Sequence, residues 1–463
     1  MTDLSDADAT LFAKCLDAVK GVAEEFPDTR KGENCTLTIP DAAMSAFSVF
    51  FFQSPSWLAS QRAMQDDTGK NNAQTIFGIG RIGSDNRIRG LLDFASPDLL
   101  HAAYWELLGI LETSGALKRF QVLGDHTLVA LDGTDFYSSE KISCPNCLVT
   151  RHKDGRTVFS HKAVTPTIVS PNVRQAVPLR PEFVAPQDGA IKQDCEINAS
   201  KRWIESTTDW LREKKAILLG DDLYAHVPFC RKVLLHSLHF IFTCLRESHQ
   251  ATYEWLDLLE PCDFQTVSET RRDPDGRKRT WTVRFAKGVP MTGEEGTLKA
   301  NWMELTVTDS KGKQTYYNSW VTDLDVNAEN AIELAVCGRS RWVIENGNNN
   351  VLKTKGYHLD HNFGHGKKHL ANLLASFNIL AFLMHTVLEL AGPYQVMIRE
   401  RLGSRRDYFL HLQVLSVYLQ FQSWEHLEDF ILKAHELGPY APASPPELTT
   451  KGLIRRYPKR KNK

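Results

Sequence analysis

Apolar positions recur in steps of three and four from Leu11 to Val22, and again through SAFSVFFFQSPSWLAS and SPDLLHAAYWELLGILETSG. That spacing puts apolar side chains on one helix face, so residues 1–118 are predicted to be a helical N-terminal region. Ser96 ahead of Pro97 is a natural N-cap and Gly115 a natural stop. Between the two apolar runs that begin SAFSVFFF and SPDLLHAAY, the stretch 66–90 (DDTGKNNAQTIFGIGRIGSDNRIRG) is polar and Gly-rich, which predicts a loop with short helices. Its Arg81, Arg87 and Arg89 suit phosphate or plain solvent equally well. From Phe120 the period changes to two. TLVAL ends directly at Asp132, and RHKDGRTVFSHKAVTPTIVS predicts a hairpin about Asp154-Gly155. RWIESTTDWLREK reads as a helix and KAILLGDDLY as a short buried strand ending at two acids. KRTWTVRFAKG and ANWMELTVTDSKGKQTYYNSWVTDLDV alternate like antiparallel strands, and helices resume at Ala328. The pattern is therefore α/β, with a core in two parts (119–245 and 328–400), a β-rich insertion (246–327), and a helical C-terminal region with a basic tail (401–463).

The longest apolar run, LANLLASFNILAFLMHTVLELA from Leu370, is long enough to span a bilayer. Asn372, Asn378, His385 and Glu389 interrupt it, which favours a buried core helix and no membrane partner. Nine scattered cysteines and an acidic, amphipathic start predict a reduced, cytoplasmic setting. A net charge of −1 excludes a global basic field. Cations instead gather in the tail KGLIRRYPKRKNK, which suits phosphate neutralisation or a solvated terminus.

The candidate chemistry lies in three acids. Asp132 leaves one predicted strand and Asp221 another; if the two strands are parallel neighbours, both carboxylates meet at the C-terminal edge of the sheet. Glu345 would reach that edge from a helix whose apolar side is Val343, Ile344 and Val351. Arg341, Asn349 and Lys353 share the polar side with Glu345. The run NGNNN has poor helix propensity, so a kinked or frayed turn is expected there. Converging carboxylates need a cation between them, and hard oxygen ligands select Mg²⁺ or Mn²⁺. A pair of such ions supports in-line displacement at phosphorus. The flanking cations and amides suit a phosphodiester.

At these residues the sequence resembles the DDE transposases of bacterial insertion sequences, in the group with a β-rich insertion in the catalytic domain. LVALDGTDF matches their first Asp at Asp132, GDDLY their second at Asp221 with Tyr224, and RSRWVIE their Glu signature through Arg341, Trp342 and Glu345. GYHLDHNFGHGKKH, DNRIRGLLD and CPNCL extend the likeness over most of the chain. The signature tyrosine is absent, with Gly338 in its place, and Lys353 comes one residue late. The resemblance implies an RNase H-like core and two Mg²⁺ (or Mn²⁺) ions held by Asp132, Asp221 and Glu345, with Arg341 and Lys353 in support. It also implies cleavage of element ends, strand transfer into target DNA, and a homodimer on DNA in the bacterial cytoplasm. A metal-dependent nuclease of the same fold, or an inactive DNA-binding descendant, are the alternatives. The interval to Tyr224 favours Asp221 over Asp222, and Asp135 reads as a turn residue.

Cys144, Cys147, His152 and His161 form a candidate zinc set, with two free cysteines beside a hairpin as the alternative. His358, His361, His365 and His369, with Lys367 and Lys368, read as a loop near phosphate or as plain surface. Trp281, Trp302 and Trp320 read as sheet residues or as a stacking platform for a flipped base.

Overall fold

The computed structural model describes residues 5–31, 35–64, 67–186, 194–272 and 276–437. The basic tail from Lys451 to Lys463 lies outside them. Thirteen strands occur among the described residues: β1 (Thr127–Ala130), β2 (Gly133–Ser139), β3 (Leu148–Arg151), β4 (Thr157–Val164), β5 (Thr167–Ser170), β6 (Val173–Pro178), β7 (Glu182–Val184), β8 (Ala216–Gly220), β9 (His239–Thr243), β10 (Gln265–Arg272), β11 (Lys278–Pro290), β12 (Lys299–Asp309) and β13 (Gln314–Thr322).

Nine of them form one sheet in the order β10-β11-β12-β13-β9-β8-β1-β5-β6. β1, β8 and β9 are parallel, with Ala130 opposite Leu219 and Gly220 opposite Phe242. β5 and β6 fold back antiparallel beside β1. The β-rich stretch expected as an inserted subdomain is a meander, β10 to β13, that pairs through β13 with β9. Its strands continue the main sheet. A second, small sheet joins β2, β4, β3 and β7. Its β3–β4 hairpin turns at Asp154-Gly155 as expected, with Gly155 at φ 87°.

β8 is buried along its whole length because the sheet is covered on both faces. Val129 and Leu218 point into the larger core, which holds Trp203, Ile204 and Leu211 of the helix Glu196–Glu213. Leu128, Ala130, Ile217 and Leu219 point the other way, against Ile332, Leu334, Val343 and Ile344. The stretch around Val343 therefore packs its apolar side on the sheet.

An 18-residue window of the helix Leu370–Ala391 has a mean hydropathy of 1.7, and 94% of that window is buried inside the fold. Three of the helix's polar residues have a local partner, whereas the buried Asn372 Oδ1 has none among the described residues. Asn378 donates to the Tyr357 carbonyl at 2.7 Å, His385 Nδ1 lies 2.7 Å from the Tyr357 hydroxyl, and Glu389 accepts two bonds from Arg405. N-terminal helices Ser5–Glu24, Ile39–Phe51 and His101–Thr113 pack around it. Ser96 caps the short turn before His101, and Gly115 ends that helix at φ 76°. The polar stretch ahead of Ser96 forms the expected short helices, Asp67–Phe77 and Asp85–Leu92, joined by a loop.

Candidate active site at the sheet edge

Parallel pairing of β1 and β8 is what brings the aspartates together. The ladder runs one residue past β1, with Leu131 N–H donating to the Leu219 carbonyl at 2.8 Å. Asp132 and Asp221 are each the next residue or next but one, so they stand side by side at about the spacing of neighbouring strands, roughly 5 Å. Glu345 arrives from the face that carries Val343 and Ile344. The expected irregularity is a π-helical turn over Ile344–Asn349. Such single turns are frequent at functional sites. Here it leaves Glu345 partly open, with Arg341 Nη2 donating to Glu345 Oε1 at 2.5 Å. It also aims Asn349 inward: Asn349 Nδ2 donates to Asp132 Oδ2 at 2.6 Å, and its own Oδ1 accepts from Thr165 at 2.9 Å.

The electrostatics are those of crowded acids. Burial, then Glu196, Asp221 and Glu345, push the Asp132 carboxyl up to about 7, against the pull of Arg341. Burial likewise raises Asp221, with Asp222 and Glu345 adding to it, although the Leu223 N–H and Arg341 oppose the rise. One guanidinium thus faces three carboxylates. An added cation is what this donor set lacks, and oxygen ligands of this kind fit Mg²⁺ or Mn²⁺.

Asp221 and Asp222 differ in where they point. Asp221 Oδ1 caps the following turn by accepting from Leu223 N–H at 2.9 Å. Asp222 turns away: it accepts from Leu245 N–H at 2.6 Å and lies 3.2 Å from His249 Nε2. These partners hold its carboxyl low despite burial. Lys353 sits in the next helix, Asn350–Thr354, and among the described residues it forms no ion pair with the three acids. Asp135 is exposed on β2, 3.9 Å from Lys162.

A fourth acid, Glu196, was not singled out from the sequence. It opens the helix Glu196–Glu213 on the sheet face opposite Glu345 and accepts from the Tyr224 hydroxyl at 2.8 Å. Two motif glycines carried the signal. A Cβ on Gly133 would overlap the Glu196 carboxylate, and one on Gly220 would lie 2.7 Å from the Tyr224 ring. Tyr224 therefore packs on β8 while its hydroxyl holds the acid that covers the start of β2.

The other candidates separate. His152 is exposed in the β3–β4 turn, away from the two cysteines. His365, 204 residues beyond His161, takes the place expected for it, so that Cys144, Cys147, His161 and His365 cluster. His361 and the side chains of Lys367 and Lys368 are exposed, and His358 and His369 half-buried. Trp281, Trp302 and Trp320 are 8%, 1% and 1% exposed. They are sheet residues, and none of the three presents an open ring on which a flipped base could stack. Arg89, one of the loop cations, pairs with Asp85 at 2.5 Å.

No protein-family model and no curated protein matches the chain. Among solved structures it is similar to the piggyBac transposase in a synaptic complex with hairpin DNA, at 11% identity and a TM-score of 0.36, over 96% of this chain and 86% of that one. A likeness of that size carries no argument about chemistry, which rests on the residues of the site.

Proposed function

We propose that the chain is a Mg²⁺-dependent transposase, with an RNase H-like core, that cuts the ends of a DNA element and joins them to target DNA. The observation that carries the reading is the parallel β1–β8 pairing, which sets Asp132 beside Asp221 within electrostatic reach of Glu345. The strand order β6-β5-β1-β8-β9, with β5 antiparallel to both of its neighbours and β8 and β9 parallel to β1, supports the fold assignment. Asp132, Asp221 and Glu345 would hold the ions. When bound, these supply an activated water or 3′-hydroxyl and stabilise the leaving oxygen. Asn349 fixes the rotamer of Asp132, and Arg341 holds Glu345 at the mouth of the site, where its guanidinium also faces phosphate. Glu196 adds negative charge beside Asp132, keeping the set dependent on a cation.

The test is movement in cells of the gene with its native flanking DNA, with Glu345→Gln in parallel. Excision and integration by the parent and neither by the variant support the reading. Equal movement by both removes Glu345 from the site. If purified protein with Mg²⁺ cuts DNA and never joins it, the same residues belong to a nuclease.

A further inference from the structure

We infer that Cys144, Cys147, His161 and His365 bind one structural Zn²⁺, which clasps the segment following Asp132 to the segment following Glu345. The evidence is geometric. The two Sγ atoms are 3.8 Å apart, and His161 Nε2 lies 3.5 and 3.4 Å from them. His365 Nε2 lies 3.4 Å from Cys147 Sγ and 3.2 Å from His161 Nε2. All four ligand atoms fall within 4.8 Å of one another. A tetrahedral ion with Zn–S of about 2.3 Å and Zn–N of about 2.0–2.1 Å implies edges of about 3.8 Å for S–S, 3.5 Å for S–N and 3.3 Å for N–N. Five of the six edges agree with these values, each to within a few tenths of an ångström.

The surroundings fit a closed metal site. His365 Nδ1 is 3.1 Å from the Gly366 carbonyl, so Nδ1–H donates there and the Nε2 lone pair faces the cluster, as in metal-bound histidines. Cys144 N–H points at Cys147 Sγ at 3.4 Å, which stabilises a thiolate. Three of the four side chains are buried and the fourth half-buried, which leaves no open coordination position of the kind a catalytic zinc keeps. Two sulfurs and two nitrogens select zinc over the hard ions suited to the carboxylates.

The ligands come from three places. Cys144 and Cys147 form the turn between β2 and β3, and His161 lies on β4. His365 belongs to the segment between the helices Asn350–Thr354 and Leu370–Ala391, which has little regular structure of its own. The protein prepares that segment for the approach. Gly366, at φ 67°, has no room for a side chain against Asp93, and the Asp93 carboxylate accepts the N–H groups of Lys367, Lys368, His369 and Leu370. Asn146, inside the CxxC turn, donates to the Lys368 carbonyl at 2.6 Å. β2 begins directly after Asp132, and the helix before the segment is continuous with the Glu345 turn. The ion would therefore fix both exits from the carboxylate site.

The experiment measures metal in the full-length, tag-free protein, purified with reductant and dialysed against metal-free buffer. About one zinc per chain is expected, since such sites bind too tightly to lose it in dialysis. Cys147→Ser and His365→Ala should each lower it roughly tenfold or more, as loss of one of four ligands would. His152→Ala and His361→Ala should leave it unchanged, as should Asp132→Asn, which separates this site from the carboxylates. Replacement of zinc by Co²⁺ in the unaltered protein provides a readout that needs no variant to fold, with tetrahedral d–d bands and thiolate charge transfer expected. Substoichiometric metal that added Zn²⁺ or Co²⁺ does not restore, a Cys144–Cys147 disulfide in the reduced preparation, or loss of metal in His152→Ala would each overturn the proposal.

Discussion

The carboxylate site and the Cys₂His₂ cluster lie at two ends of the same short segments, yet they are built in opposite ways. The carboxylates stand on regular elements: two parallel strand ends and one turn of a helix packed on the sheet. Arg341 relieves their mutual repulsion only in part, and burial together with that repulsion pushes the Asp132 carboxyl up to about 7. The cluster is mostly buried and assembled from a turn, a strand and an irregular segment. A site that must exchange substrate is held open by a rigid sheet. A site that serves only to hold can draw its ligands from segments with no rigidity of their own, because the bond supplies it.

The contrast breaks first at Glu345. Glu345→Gln keeps the shape and removes the charge, and movement of the element should fall at least about a hundredfold, beyond the 10–100-fold typical of losing a ligand's supporting partner. Thermal unfolding of the same variant should be unchanged or slightly raised, because one repelling charge is gone. Cys147→Ser should behave the other way round. Its primary effect is on stability, with a Tm lower by roughly 5 °C or more if the ion contributes several kcal/mol. A Cys147→Ser protein with the parent's Tm and metal content would erase the distinction between the two sites.

Asn349→Ala sits between those extremes. It removes the only side-chain donor seen on the Asp132 carboxylate among the described residues, without touching a proposed ligand. Activity should drop about 10–100-fold, and part of it should return at higher Mg²⁺, since the lost function is positioning. No rescue by metal would mean that Asn349 acts on substrate instead.

How much of this was legible in the sequence follows from the same contrast. Strand ends carry a local mark, an apolar run stopping at an acid, so LVALDGT and ILLGDD marked Asp132 and Asp221, while the parallel pairing that joins them entered only as a condition, which the fold meets. The weakness of NGNNN as a helix was legible as well, though its π-helical form was not, since that depends on Asn349 finding Asp132 across the sheet. Two of the proposed zinc ligands were marked by the CxxC, and a third lay near it. The fourth was misassigned because sequence proximity favours His152, whereas the fold brings in His365 from beyond the Glu345 helix. Glu196 was invisible for a related reason: its only trace is the side chain that Gly133 cannot have. The join of β13 to β9 also has no local signature, so the β-rich stretch looked separable and is continuous.

Proton linkage sharpens the electrostatic half of the comparison. Folded Asp132 keeps its proton up to about pH 7, whereas an unfolded aspartate releases it near pH 4. Between those values the folded state binds more protons, so metal-free protein should lose stability as pH rises from about 4 to 7, by up to about 4 kcal/mol. Saturating Mg²⁺ should flatten that slope, and Asp132→Asn should cut it back to what the raised Asp221 carboxyl contributes. Urea melts at fixed pH, with and without the ion, measure both, and a slope as steep in Asp132→Asn as in the parent would assign it to other groups.

The smallest expected effect comes from Tyr224→Phe. The ring stays on Gly220, so packing along β8 is kept, and what disappears is one hydroxyl lying 2.8 Å from Glu196 and 3.1 Å from Ser200. A buried hydrogen bond to a charged group contributes about 1.5–3 kcal/mol, less whatever solvent recovers at the half-buried Glu196. A loss of about 1–2 kcal/mol is therefore expected, with activity down only a few-fold. Its value lies in direction. If Tyr224 matters only as packing, Phe is silent in both assays. If it holds Glu196 beside Asp132, freeing that acid changes the Mg²⁺ concentration needed for half-maximal activity while the Tm shift stays small. A silent result would make Glu196 a bystander and reduce the site to the three acids at the sheet edge.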